Sequence, residues 1–546
     1  VGTLVGALLL PRVTHAGQQA YEPPVIEFAP EGISVDEAVR LGLRYDPLIK
    51  LEIAAREFQS GAVQEQTGVF DLTLAGNGFF DHEQADVPTS QNPFSTELDY
   101  LQSFTGAGLT GSGESAVNQV SSSLALDTEV GKLFRTGVSV TPFFSSSSDS
   151  SSFSDGTGVA LGEGVGGDLR TLETGLSAVL PLGRGRGRDA TAGAERAAQF
   201  DYAASDHAQR YQVAVTALSV VLAYWDLRSA QETREVAAAS VVLQEMLVAA
   251  TEQLIAGGQL AASDLFRTQS SEARARARLE QTALGLYDAR TQLAKVMGLA
   301  VSEREVTWPL ARDGFPARPD LQLLNADAVI VLADMALERR EDLLAAVASQ
   351  ESGFILARQA ETNLRPQLDV TAGAHSTALV EQGVSQPSGG WAGPSVSVGL
   401  EYARPFRNNF FKGQLVQREA EARQREISQL DLRRRVQLAV IQAARSVQQA
   451  VRRVEQASAA ADFYRETLDA EVERLRAGEA TLVDTILTEQ QLTDSRFTLV
   501  AARAELASLI AELRFETGAL VDYTNEGSLV VEPSLVTVPR VSRSQP

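Results

Sequence analysis

The chain has 546 residues, 44% of them hydrophobic, with a formal charge of −22, a pI near 4.8 and no cysteine. That composition supports a large core and excludes global disorder, and the acidic balance argues against a nucleic-acid binder, which is normally basic. Without cysteine there is no disulfide, no thiol catalysis, no thiolate metal site and no lipidated N-terminal cysteine.

Residues 1–16 join an apolar run, Leu4 to Leu10, to the small residue Ala16. This reads as the remnant of a secretory signal peptide, or as a frayed apolar terminus. Residues 17–32 read as an extended segment. No other uninterrupted apolar run approaches ~18 residues, so no membrane-crossing helix is predicted. Contact with a membrane would fall to strands or to a surface.

A first repeat, residues 33–298, opens with "ISVDEAVRLGLRYDPL" and leads into a short helix, Leu48 to Gln66. The period then changes to two. In "FDLTLAG", Phe70, Leu72 and Leu74 alternate with Asp71 and Thr73, which predicts a strand over about 69–80. In "TLETGLSAVLP", Leu172, Leu176, Ala178 and Leu180 alternate with polar or small residues, which predicts a strand over about 171–182. One apolar and one polar face suits a half-buried soluble sheet and equally a membrane β-barrel strand.

Residues 81–170 are inserted between those two strands. Within them "VSSSLALDTEV" and "TGVSVTPFF" alternate as cleanly, joined by the basic turn "GKLFRTG". Pro142 argues against an interior strand, and the serine-rich run Ser145 to Asp155 reads as a flexible loop. The insertion therefore reads either as two further wall strands or as an extension outside the wall.

"LPLGRGRGRDA", Leu180 to Ala190, allows three readings: a phosphate cradle, an RNA-binding Arg/Gly tail, or a turn between two structures. The dinucleotide fingerprint fails on spacing, because Arg188 stands where a third glycine is needed. Pro181 should end a strand, and Asp189 suits the N-terminal end of a helix.

A long helix is predicted over about 189–256, with Leu243, Leu247, Ala250 and Leu254 as its seam. At 1.5 Å per residue it would run roughly 100 Å. After the turn "IAGGQLAASD" a second helix covers about 262–297, and residues 299–330, with Pro309, Pro316 and Pro319, read as a linker. The second repeat, 331–520, starts at "VLADMALERREDL". It continues with a short helix (Leu343 to Thr362), strands over about 367–376 and 394–404, a long helix over about 412–477 and a helix over about 482–517. Val440, Ala444, Val447, Val451 and Val454 form the long helix's seam. Residues 521–546 are a tail. Aligning Gly258 with Gly478 brings Asp264 onto Asp484 and Gly298 onto Gly518 without a gap, which marks an internal duplication.

Catalytic chemistry finds no footing. The four histidines, His15, His82, His207 and His375, do not pair at metal-ligand spacing, and no catalytic constellation is visible. No metal site and no cofactor is predicted.

The duplicated order of short helix, strands and two long helices resembles the TolC-like outer-membrane efflux proteins (outer-membrane factors) over about Ile33 to Leu520. The motifs "DEAVRLGLRYDPL", "ALERREDL", "LPLG" and "ARPF" and the two Gly-x5-Asp turns carry the resemblance. It implies an α+β fold in which each protomer of a homotrimer gives strands to a membrane β-barrel and very long coiled-coil helices to a periplasmic tunnel. The implied function is the outer-membrane exit duct of a tripartite efflux or secretion system. The implied partners are a periplasmic membrane-fusion adaptor, an inner-membrane pump and outer-membrane lipid, without nucleic acid.

On this resemblance the adaptor docks at the hairpin tips Ile255, Ala256, Gly257 and Gly258, and Leu475, Ala477 and Gly478. Asp264 and Asp484 lie at the periplasmic aperture, although the acid often found one turn further on is Leu487 here. Pro181, Arg184, Arg186 and Arg188, with Pro405 and Arg407, mark the strand-to-helix junctions, where arginines can snorkel to lipid phosphates. The competing readings are a soluble coiled-coil spacer, which leaves the paired strands unexplained, and an enzyme, which lacks a site.

Overall fold

The computed structural model describes residues 23–87, 117–154, 168–300, 308–381, 391–477, 479, 481–523, 529–530 and 537–539. The signal-like residues 1–16, residues 88–116 and 155–167, Gly478 and most of the tail lie outside the described residues. The chain divides into two compact units. One comprises Val1–Arg56, Ser205–Ala345 and Gln429–Pro546; the other comprises Glu57–Ala204 and Ala346–Ser428.

In chain order the elements are α1 (Val35–Tyr45), α2 (Pro47–Gly68), β1 (Leu72–Val87), β2 (Val117–Leu133), β3 (Ser139–Ser154) and β4 (Asp168–Pro181). A one-turn helix α3 (Arg188–Thr191) precedes α4 (Gly193–Ala256) and α5 (Ser263–Val296). The second repeat brings α6 (Ala326–Arg339), α7 (Glu341–Thr362), β5 (Gln367–Glu381), β6 (Ser395–Ala403), α8 (Asn409–Arg476) and α9 (Leu482–Glu516). A minimal pair, β7 (Asp522–Tyr523) and β8 (Leu529–Val530), follows.

The helical unit is built as two similar halves. Ser34 and Glu37 close a capping box at the start of α1, and Asn325 caps α6 by accepting from the Ala328 N–H. Each half ends its last helix on a left-handed glycine, Gly298 (φ 72°) or Gly518 (φ 66°). The Leu299 N–H donates to Ala294 O, and the Ala519 N–H to Arg514 O. A Cβ on Gly298 would lie 2.6 Å from the Tyr45 carbonyl at the end of α1, and one on Gly518 would lie 3.0 Å from Arg339 at the end of α6. The same helix ends therefore meet in both halves.

Among the described residues two large apolar clusters and a smaller one fill this unit. Val220, Tyr224 and Trp225 of α4 pack with Leu293 of α5, with Met297 just after it and with Val39 of α1. One stretch of α4 is apolar and long enough by composition to cross a membrane, and half of it is buried inside the protein, as a core helix would be. The second cluster buries the predicted seam of α8, Val440 to Val454, against Leu332, Ile510 and Leu513. The predicted seam of α4 is shifted. Leu247 is buried, but Leu243, Ala250 and Leu254 are half-buried, and the buried line is Val241, Gln244, Leu247 and Thr251. Polar Gln244 faces inward because a carboxylate, Glu489, is buried opposite it.

The other unit holds one six-stranded antiparallel sheet in the order β1-β2-β3-β4-β5-β6. The insertion thus supplies two strands, β2 and β3. The serine-rich run expected as a loop is a correction: Ser145 to Ser154 belongs to β3 and pairs along β2. Serine has little strand preference of its own, so the neighbouring strands decide its conformation; Ser145 Oγ also donates to Asp127 Oδ1 at 2.6 Å. Pro142 is accommodated because the β2 ladder is interrupted opposite Thr141 and Pro142, while pairing with β4 continues through Leu176.

Candidate functional site

Registration makes the sheet two-faced. A single row crosses all six strands through Leu72, Lys132, Val140, Ala178, Ala372 and Val398. Residues two apart on each strand share that face, so Leu74, Phe80, Leu124, Leu126, Leu400 and Tyr402 stand with it. These side chains are open to the surroundings: Leu124 is 54% exposed and Val398 75%. An apolar face of this size on a water-facing sheet would be an association or membrane surface.

The opposite face is mostly polar, with Phe79 and Phe143 also on it. Asn77, Asp127, Ser145, Glu173 and Thr377 form one of its rows. By strand alternation Asp81, Glu83, Glu129, Asp149, Asp369 and Glu401 share it. No lysine or arginine stands on this face among the described residues of the six strands. The two cations of the apolar side sit toward strand ends: Lys132, whose Nζ donates to the Phe70 carbonyl, and Arg170.

The junction "GRGRGR" is a turn. The N–H groups of Leu182 and Gly183 donate to Leu368 O (2.7 and 3.1 Å), that of Arg184 to Pro366 O (3.0 Å) and that of Gly187 to Thr136 O (2.9 Å). Those donors are committed to carbonyls and leave no phosphate cradle. Each glycine is required: Gly185 (φ 82°) and Gly187 (φ 87°) are left-handed, and a Cβ on Gly183 would sit 2.2 Å from Pro366 O. Pro181 ends β4. Asp189 lies inside the single turn of α3 and pairs with Arg196 at 2.8 Å. Arg184 stacks on the Phe411 ring at 4.1 Å, whereas Arg186, Arg188, Pro405 and Arg407 are exposed.

Glu195 is a contributor that the sequence reading missed. It lies in the first turn of α4 and is buried. Arg135, in the turn between β2 and β3, grips it with two hydrogen bonds of 2.6 and 2.7 Å. Thr67 Oγ1 donates a third at 3.2 Å. The hydrogen bonds from Arg135 hold the Glu195 carboxyl below the usual carboxylate range. No sequence signal joins residues sixty apart.

At the hairpin tip, α4 ends on Gly258 (φ 72°), with the Gln259 N–H donating to Leu254 O at 2.9 Å. Ala256, Gly257 and Gly258 are exposed, Ile255 is half-buried, and a Cβ on Gly258 would meet nothing within 4 Å. On the second tip Ala477 is exposed and Gly478 lies outside the described residues. Leu475, expected among the tip residues, is 7% exposed and packs with Leu247, Leu482 and Ile486, because its helical phase turns it into the interior.

Asp264 is half-buried, while Asp484 is exposed in the first turn of α9. Asp484 is bonded within its own cap: Thr481 Oγ1 donates to Asp484 Oδ2 (2.6 Å) and accepts from the Asp484 N–H (3.2 Å). No hydrogen bond or ion pair joins Asp264 to Asp484 among the described residues. The buried acid of this region is Glu489, which accepts from Ser240 Oγ (2.7 Å), Gln244 Nε2 and Thr493 Oγ1 (2.8 Å). Among the described residues no group of three or more His, Cys, Asp or Glu converges as a metal site.

Residues 332–519 match the family model of the outer membrane efflux proteins. No curated protein matches the chain by sequence. Among solved structures, the fold is shared with the outer membrane protein VceC of Vibrio cholerae (14% identity, TM-score 0.58), with 89% of this chain and 96% of that one covered. The CmeC outer membrane channel of Campylobacter jejuni shares it at 12% identity and TM-score 0.58, covering 92% and 91%. The open state of the MtrE outer membrane channel of Neisseria gonorrhoeae shares it at 14% and 0.57, covering 92% and 97%. The second repeat matches the model of the outer membrane efflux protein family, and the chain shares its fold with solved outer-membrane channels across about nine-tenths of its length.

Proposed function

We propose that three copies of this chain form an outer-membrane exit channel. Their strands make a membrane wall, and their helices make a periplasmic tunnel through which solutes leave the cell. An inner-membrane pump supplies the cargo, and a periplasmic adaptor opens the duct by contact at the hairpin tips around Ala256, Gly257, Gly258, Ala477 and Gly478. The adaptor and pump come from the resemblance; the membrane wall rests on this chain's own residues.

The observation that carries the reading is the exposed apolar face of the sheet, aligned row by row opposite a polar face whose charges are all acidic. Such a sheet is stable with lipid on one side and a water-filled lumen on the other. The carboxylates bias that lumen toward cations. The channel has no catalytic step of its own. The test is extraction from membranes with detergent, followed by mass determination and single-channel recording. A three-chain mass with discrete conductance supports the duct. A protein that stays soluble without detergent and conducts nothing is a coiled-coil spacer instead.

A further inference from the structure

The insertion between β1 and β4 supports an inference that rests on the channel reading above. We infer that β2 and β3 are integral strands of the membrane wall, so that each copy contributes six. The wall then closes at eighteen strands, with β6 of one copy pairing with β1 of the next.

The β2–β3 hairpin begins at the level of the other strands. Its turn is fixed to the start of α4 by the Arg135–Glu195 pair. The turn also abuts the strand-to-helix junction, because a Cβ on Gly137 (φ 94°) would lie 2.0 Å from Gly185 O. A hairpin rooted beside the ends of β1 and β4, and paired with both along their lengths, occupies the wall and cannot stand above it. On β2, Leu124, Leu126 and Val130 continue the apolar face, and Asp127 and Glu129 the acidic one; on β3 the apolar face carries Val140 and Phe144 nearest the turn and serines beyond.

The sheet also has the slope of a barrel. The row that enters at Leu72, the first residue of β1, leaves at Val398, five residues before the last residue of β6, Ala403. With rises of about 3.4 Å per residue and strand spacings of about 4.8 Å, that climb corresponds to strands tilted by about 35° if the strand ends lie level. Closed membrane barrels need tilts of about 35–45°.

Both edges remain open. The outer sides of β1 and β6 have no strand partner among the described residues, and open edges do not persist in hydrocarbon. With an even count, β6 of one copy runs antiparallel to β1 of another, so a second copy is the occupant that fits. Continuing the same climb with the apolar faces matched sets Leu72 beside Arg404 of the next copy, and hence Thr73 beside Ala403. Barrel diameter grows about linearly with strand number, so the lumen would be roughly half again as wide as with four strands per copy. The cargo class then includes bulkier cationic solutes.

The cysteine-free sequence gives a clean background for the test. Thr73→Cys with Ala403→Cys should oxidise to a covalent three-chain ladder, whereas Thr73→Cys with Gly399→Cys, four residues out of register, should not. In membrane-inserted protein Asp127→Cys should react with a water-soluble charged thiol reagent through the lumen. Leu126→Cys, on the adjacent lipid-facing position, should react at least ten-fold more slowly. A three-chain assembly in which both positions react equally would overturn the eighteen-strand wall and leave the channel standing. Absence of any three-chain assembly from the membrane fraction would overturn the channel itself.

Discussion

The helical unit and the sheet unit place their apolar residues in opposite ways. In the helices, Val220, Tyr224, Trp225 and Leu293 are each at most 1% exposed, and the hydrophobic effect acts as it does in any water-soluble core. In the sheet, Leu72, Leu124 and Val398 are all more than half exposed, and the aligned face leaves its burial to lipid. Apolar periodicity alone is therefore silent about the solvent: the same leucine content serves a core in one unit and a hydrocarbon contact in the other.

The comparison breaks most readily where the helical unit buries charge. Arg340 is 7% exposed; it forks onto Asp342 at 2.7 and 2.9 Å and also reaches Glu516. Arg340→Leu leaves two carboxylates without their cation and should cost about 3–5 kcal/mol, read as a lower thermal midpoint of the helices in detergent. Trp225→Ala should cost a comparable ~3–5 kcal/mol by opening a cavity. Neither change should affect which sheet face meets lipid.

In the sheet the sign of a charge substitution should depend on residue parity. Leu126→Arg should cost about 2–4 kcal/mol in membrane stability, whereas Asp127→Asn, one residue on, should cost under about 0.5 kcal/mol. Denaturant titration of reconstituted protein measures both, and equal costs would abolish the two-faced reading. For conduction the order reverses. At about 10 Å in water one carboxylate favours a cation and disfavours an anion by about 0.4 kcal/mol each, so Asp127→Asn should lower the cation-to-anion permeability ratio by roughly four-fold per charge removed while Leu126→Met leaves it unchanged.

The smallest effect is a pH dependence at the point where β2–β3 joins α4. Because the folded Glu195 carboxyl is held below its ordinary value, its stabilisation is present above the unfolded carboxylate range, near ~4.5. That stabilisation is lost as pH falls through the depressed folded value. Glu195→Gln should therefore lower stability most at neutral pH and flatten the acid limb of the profile below about pH 4.5. An unchanged acid limb would show that the grip of Arg135 is not felt in stability.

Much of this architecture is legible in the residues. The proline-poor, alanine- and leucine-rich stretches determine the long helices, since helix formation depends on local propensity summed over many turns. The repeated Gly-x5-Asp spacing exposes the duplication, and the alternation in β1, β4, β5 and β6 identifies strands because their side-chain period is two. The turn at "GRGRGR" is legible from Pro181 and the glycines, although the carbonyls that occupy its N–H groups are not. What the sequence leaves open are pairings between distant residues. The strand character of Ser145 to Ser154 depends on β2 and β4 lying on either side, not on serine. The inward rotation of Leu475, the burial of Gln244 opposite Glu489 and the grip of Arg135 on Glu195 each require two segments to be brought together. Local periodicity determined the elements of this protein, and only the tertiary structure decided which polar groups those elements bury, because the cost of burying a charge depends on a partner far away in the chain.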